Sequence, residues 1–219
     1  MDKLVGLLSK YGGVFLAGLG GTLWLATVTV LLGTVLGVLI ALMRMSRIKL
    51  LNVVAGAYIE VLRGTPTLLQ IYFFWLGIPK FVPIVLPDIA WVVVALVFNS
   101  SAYISEIIRS GISAVDQGQW EAARSIGLAN RNVMTRVILP QAVKNILPAL
   151  GNQFIHMVKE TSLASLLFAG ELMTSFKTVQ SATFLALQPL IIVGVIYLAL
   201  NFVLSKLVGV LERRLRVSD

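Results

Sequence analysis

The stretch Asp116 to Pro140, DQGQWEAARSIGLANRNVMTRVILP, is the longest polar passage in a chain that is otherwise strongly apolar. Glu121 to Ile126 is a run of good helix formers, and Gly127 is a natural stop because glycine enters the left-handed region without steric cost. A second short helix is expected from about Arg131, ending where Pro140 interrupts the pattern. Ala122 and Ala123 are small enough to let the first helix lie close against a partner. Glu121, Arg124, Arg131 and Arg136 place charge around it. The passage reads as a docking hairpin offered to another protein.

On both sides of the hairpin the sequence is suited to a bilayer. Of 219 residues, 58% are hydrophobic and 13% charged. Mean hydropathy is +0.90. The length is that of one domain, and the long apolar runs make it a membrane domain. The formal net charge of +8 would suggest nucleic acid in a soluble protein. Here the basic residues flank apolar runs, so they read as topology signals and lipid-facing anchors, with no nucleic-acid partner implied. There is no cysteine and one histidine, His156. Disulfides, a thiolate nucleophile and histidine-rich metal sites are therefore excluded. No glycine is followed by lysine, so the phosphate-binding G-x-x-x-x-G-K-[ST] loop is missing. No carboxylate pair or serine–base arrangement stands at catalytic spacing. The chain is not expected to be an enzyme and carries no cofactor; if ATP drives it, ATP and Mg are bound by a separate subunit.

A span needs roughly 20 apolar residues. Tyr11 to Met43 carries no charge, and the first helix is expected over Leu19–Met43, with a G-x-x-x-G pair at Gly33 and Gly37. The preceding Lys3 and Lys10 introduce a run too long for a signal-peptide core, so a retained span is expected. The second span, about Leu51 to Ile78, holds Gly64-Thr65-Pro66. Proline cannot donate and glycine weakens the helix, so a break is expected there. Such breaks persist where they are buried in protein or line a polar cavity. A short proline-containing loop follows from Lys80 to Asp88. Further spans are expected over about Ile89–Gly111, Leu147–Ala169 and Phe184–Val210.

The expected fold is thus an all-α membrane protein with five transmembrane helices. Residues 1–18 form an N-terminal extracytoplasmic segment, 19–210 the membrane domain with its hairpin at about 116–140, and 211–219 a tail. Arg44, Arg47, Lys49, Arg109, Arg124, Arg131, Arg136, Lys144, Lys206, Arg213, Arg214 and Arg216 collect on one side. Lys3, Lys10, Lys80 and Lys177 fall on the other. The first side is cytoplasmic by charge bias. The N-terminus is then outside, and the C-terminus and hairpin are inside.

Polar residues inside the spans carry the functional signal. Counted from their span starts, Thr65, Asn99 and Lys159 lie roughly 15–20 Å deep, near the midplane. On the fourth span, Asn152, Gln153, His156, Lys159 and Glu160 share one helical face, which cannot face lipid. Lys159 has two readings, a substrate contact or a structural ion-pair partner of Glu160 or Glu60. Glu60 and Arg63 stand three apart and can neutralise each other. Tyr72, Phe73, Phe74 and Trp75 read as packing or interfacial aromatics.

Three motifs carry a family resemblance. Glu121-Ala122-Ala123, Gly127 and Leu139-Pro140 stand where the EAA motif of ABC-importer permeases has them, with Val137 in place of the usual Ile. Arg63-Gly64-Thr65-Pro66-Thr67-Leu68-Leu69-Gln70 resembles the R-G-T-P-L-L-V-Q segment of polar amino-acid permeases, and Tyr103 to Gly111 resembles their A-Y-x-x-E-I-x-R-x-G run. The resemblance covers about Arg63–Pro79 and Asn99–Glu171. It implies a type I ABC importer fold in a bacterial inner membrane. It also implies a permease dimer, homomeric or heteromeric, two ATPase subunits coupled through Glu121, Ala122, Ala123, Gly127 and Pro140, and an extracellular or periplasmic solute-binding protein. Substrate contacts are expected at Thr65, Asn99, Gln153, Lys159 and Ser162. Gln153 is neutral where the resembling permeases often have Glu, which points to an uncharged or acidic polar amino acid. The rival reading is an ion-coupled secondary amino-acid transporter, which would need no ATPase. No internal repeat supports it.

Overall fold

The computed structural model describes residues 2–82 and 85–216, and all of its regular structure is helical. The first helix, α1, runs unbroken over Asp2–Arg44. It starts well ahead of the expected Leu19, because Leu7 and Phe15 are buried and extend its packed face. The second span breaks where expected. Helix α2 covers Lys49–Gly64 and α3 covers Thr67–Tyr72, with Thr65 and Pro66 extended between them. A π-helical turn over Phe73–Gly77 leads into α4, Ile78–Phe81. Two residues of the Lys80–Asp88 loop, Pro83 and Ile84, lie outside the described residues. Helix α5 spans Asp88–Ser113, close to the expected limits.

The hairpin helix α6 covers Gln117–Ser125 and is capped by Asp116, whose carboxylate accepts from the amide of Gly118 at 2.7 Å. It ends at Gly127, which has φ +82°. The Gly127 amide donates to Arg124 O (2.9 Å) and the Leu128 amide to Ala123 O (3.2 Å), so the last carbonyls of the helix are satisfied.

The second half of the hairpin departs from expectation. Pro140 does not end a helix. A short α7, Asn130–Asn132, passes through a π-helical stretch, Val133–Ile138, into α8, Leu139–Glu160. The wider π turn displaces the carbonyls that the proline ring would strike, and Pro140 then sits in the first turn of α8, where its missing N–H is least costly. The fourth span is shifted by the same token. α8 begins eight residues before the expected Leu147 and stops at Glu160. The chain then tightens into a 3-10 segment, Thr161–Leu167. A further helix, α9, Leu172–Thr183, was not expected, and α10 covers Leu187–Arg216. The basic tail is therefore a continuation of α10; residues 217–219 lie outside the described residues.

By length and apolarity three helices among the described residues can cross a membrane: Leu4–Arg44, Asp88–Ser113 and Leu187–Leu215. The other two expected spans are the broken α2–α3 and the polar α8. The central core joins them, with Leu25, Ile71, Val92, Leu96, Met157 and Val158 in one buried cluster. α1 crosses α5 closely at the G-x-x-x-G pair. A Cβ on Gly37 would lie 2.9 Å from a methyl of Ile104, and one on Gly33 3.0 Å from Ser100 Cβ. The pair is thus a close helix contact within the chain.

Candidate functional site

Two polar centres flank the broken second helix. The first is built on Gln70, in the first turns of α3. Its Nε2 donates to Leu62 O (2.7 Å), Thr65 O (3.1 Å) and Thr65 Oγ1 (2.9 Å). Its Oε1 accepts from Asn99 Nδ2 of α5 at 2.9 Å. Thr65 Oγ1 in turn donates to Val61 O at 2.8 Å. A proline break leaves carbonyls without amide partners, and in an apolar setting each orphan is costly. One glutamine side chain caps those at the break and ties them to α5. Sequence reasoning quoted Gln70 only as part of a motif; the available signal was a buried-length amide four residues after a proline break. The neighbouring apolar cavity, about 590 Å³, is walled by Tyr58, Leu69, Phe73, Phe74 and Phe98, with the Phe74 and Phe98 rings in contact at 5.0 Å between centroids. Trp75 instead donates from Nε1 to Asp88 at 2.8 Å.

The second centre is a cleft of about 530 Å³ between α3, the end of α8, the 3-10 segment, α9 and α10. Its walls include Leu68, Lys159, Ser162, Ser165, Lys177 and Tyr197. Lys159 is exposed and forms no ion pair among the described residues. Neither expected partner engages it. Glu160 faces His156, with Oε1 3.9 Å from Nε2, and Arg63 pairs with Glu106 of α5 at 3.7 Å, not with Glu60. Arg109 completes that cluster with two hydrogen bonds to Glu106 (2.9 and 2.8 Å), and Arg63 lies over the Tyr103 ring. The two motifs around Arg63 and Tyr103 therefore meet in space.

The expected substrate residues do not form one site. Lys159 and Ser162 share the cleft. Thr65 and Asn99 belong to the Gln70 centre. Gln153 lines neither; it is buried in α8, and its Nε2 has no partner. Asn99 Oδ1 is likewise buried without a partner. Lys177, counted by charge among the outer residues, is half-buried on the cleft wall, where its Nζ donates to Ser165 O at 2.8 Å. Sequence reasoning also missed Glu171. Its carboxylate caps α9, accepting from the amides of Met173 and Thr174 (both 2.6 Å) and from Thr174 Oγ1 (2.8 Å). Gly170-Glu171 ahead of the amphipathic run Leu172–Val179 was the signal.

In the hairpin, Ala123 is buried in a cluster with Ile112 at the end of α5, Val115 just beyond it, Val133 and Ile138 of the π stretch, and Ala142 and Ile146 of α8. Glu121, Ala122, Gly127 and Pro140 are exposed, and Ile126 is 77% exposed. Arg124 lies over the Trp120 ring at 5.9 Å. The EAA residues thus divide between an inward anchor and an outward face.

An all-helical membrane domain with a broken helix, a polar cleft and an exposed hairpin defines a transport component. The chain belongs to the family of binding-protein-dependent transport system inner membrane components, which it matches over residues 33–217. It is accordingly a multi-pass inner-membrane protein. Within that family it is similar to permeases of amino-acid and opine ABC importers. It is 38% identical over 204 residues to the arginine transport system permease protein ArtQ of Bacillus subtilis, covering 93% of each chain. It is 40% identical over 195 residues to the probable glutamine ABC transporter permease protein GlnM of the same organism, covering 89% of this chain and 90% of the relative. A crystal structure of an amino acid ABC transporter with histidines superposes with TM-score 0.91 at 46% identity, covering 94% of this chain and 96% of that one. An inward-facing MetNI methionine ABC transporter shares the fold at TM-score 0.70 and 20% identity.

Proposed function

We propose that this chain forms the translocation pathway of an ATP-driven importer for polar amino acids and couples it, through α6, to a separate ATPase subunit. The relatives named for arginine, glutamine and opine transport support that cargo class. The proposed assembly has five spans per chain, the N-terminus outside and the C-terminus inside. It pairs two permease subunits with two ATPase subunits and an external solute-binding protein. ATP and Mg belong to the ATPase.

The observation that carries this reading is the seating of α6. Its Ala123 packs into a buried cluster with the end of α5 and the start of α8. Those helices also carry Asn99, Gln153 and Lys159. A push on the exposed face of α6 therefore reaches the polar interior through packed side chains, which transmit displacement because they have no free volume. Lys159 is the cation that would hold a substrate carboxylate, with Ser162 beside it. Thr65, Asn99 and Gln153 shape the interior behind it.

Gly127 holds a backbone conformation that a β-branched residue adopts poorly. Gly127→Val and Glu121→Lys are expected to leave the protein in the membrane while ATPase co-purification or substrate-stimulated ATP hydrolysis falls. Normal coupling in both variants would remove α6 from the mechanism. Uptake that persists with no ATPase present would favour the ion-coupled alternative. A single cysteine at Gln117 should be labelled only from the cytoplasm and one at Lys80 only from outside.

A further inference from the structure

Resting on the permease reading, we propose that the cleft is a two-cation subsite, in which Lys177 of α9 is a second substrate-contacting group beside Lys159, and that the amino acid it takes is one with a carboxylate side chain.

The two lysines come from different elements and open on the same cleft, and no carboxylate lines it. The two nearby acids on these elements do not line the cleft. Glu160 is set against His156. Glu171 is fully buried, with its oxygens taken by the amides of Met173 and Thr174 and the hydroxyls of Thr174 and Tyr197. Lys177 itself makes one hydrogen bond, to the neutral carbonyl of Ser165, and lies over the Phe168 ring at 5.4 Å. It has no ion-pair partner among the described residues, and its ammonium retains donors for a ligand. Two ammonium groups without an acidic partner on one cleft repel each other, and an incoming anion relieves them. A dicarboxylic amino acid brings one carboxylate for each lysine, while the Ser162 and Ser165 hydroxyls offer oxygens to its ammonium. A neutral side chain leaves one lysine unmatched, and a cationic one adds a third positive charge. The cleft volume, about 530 Å³, suits a small ligand.

The test is equilibrium binding of radiolabelled L-glutamate, L-glutamine and L-arginine to the purified permease–ATPase complex, without the binding protein, so that upstream selection is removed. The parent is expected to rank glutamate first and arginine last. Lys177→Gln should weaken glutamate binding about tenfold while glutamine changes less than about twofold, and Lys177→Arg should retain the preference. An unchanged glutamate-to-glutamine ratio in Lys177→Gln, or an equal loss for both, overturns the proposal and leaves Lys177 a clamp on the 3-10 segment. The parent's own ranking decides the matter if the variant does not assemble: arginine or glutamine first overturns the proposal while the permease reading stands. Failure of any ATPase to co-purify strikes the permease reading itself, and the proposal with it.

Discussion

Around Gln70 nearly every polar atom has a partner inside the chain; around Lys159 and Lys177 the charges face open space. Both centres sit beside the same interrupted helix, with Thr65 and Leu69 on one wall and Leu68 on the other. Gln70 meets the two carbonyls at the break, the Thr65 hydroxyl and the Asn99 amide. That is the pattern of architecture, in which polar groups exist to satisfy one another. Lys159 has no acid to answer it, although Glu160 is its neighbour in sequence. Lysines left without an acidic partner on a cleft are free to meet a ligand. The difference teaches that residue type and position along a helix do not separate a satisfied polar centre from an open one; the packing around it does.

Substitutions can break this contrast. Gln70→Leu removes the side chain that caps the break, leaving the buried Leu62 O and the part-buried Thr65 O without that partner. At about 1–3 kcal/mol for each buried group orphaned, the loss should be about 2–5 kcal/mol, a large share of the stability of a folded domain. Membrane yield and the Tm of the purified complex measure it; a variant with parental Tm would show that the break does not depend on Gln70. Lys159→Ala should do the opposite. The complex persists with unchanged Tm, while uptake of its amino acid falls by about two orders of magnitude, the scale of a charge-assisted contact of about 2–3 kcal/mol. Parental uptake with unchanged competition would return Lys159 to a structural role.

A smaller effect is expected at Glu106, which holds Arg63 and Arg109 near the surface of α2 and α5. Both arginine side chains are more than 40% exposed. Glu106→Gln should therefore cost under about 1 kcal/mol, with a shift in Tm of a few degrees at most. A larger drop would place this cluster with the Gln70 centre rather than with the solvated surface.

Much of the chain was legible without coordinates, for physical reasons that are local. The break at Gly64-Thr65-Pro66 follows from a missing N–H and a missing side chain. The stop at Gly127 follows from the one residue that takes φ +82° freely. The limits of α5 follow from an apolar run between Pro87 and the polar hairpin. The family resemblance was likewise carried by motifs local to short stretches of the chain. Pro140 shows where local reasoning fails. A π turn upstream absorbs it, and whether the chain spends that turn depends on burying Val133 and Ile138 against α5 and α6.

The site divides along the same line. Residue type and helical spacing selected Lys159 and Ser162, Asn99 and Thr65, because a polar group on an apolar helix is visible in any listing of the chain. Which of them face a cleft and which face each other was decided by tertiary structure. Asn99 meets Gln70 across 29 residues of chain, and Lys177 reaches the cleft from α9, a helix that composition did not announce. A side chain's type states what it can bond to. Only packing determines whether that bond is already made within the protein or left for a ligand.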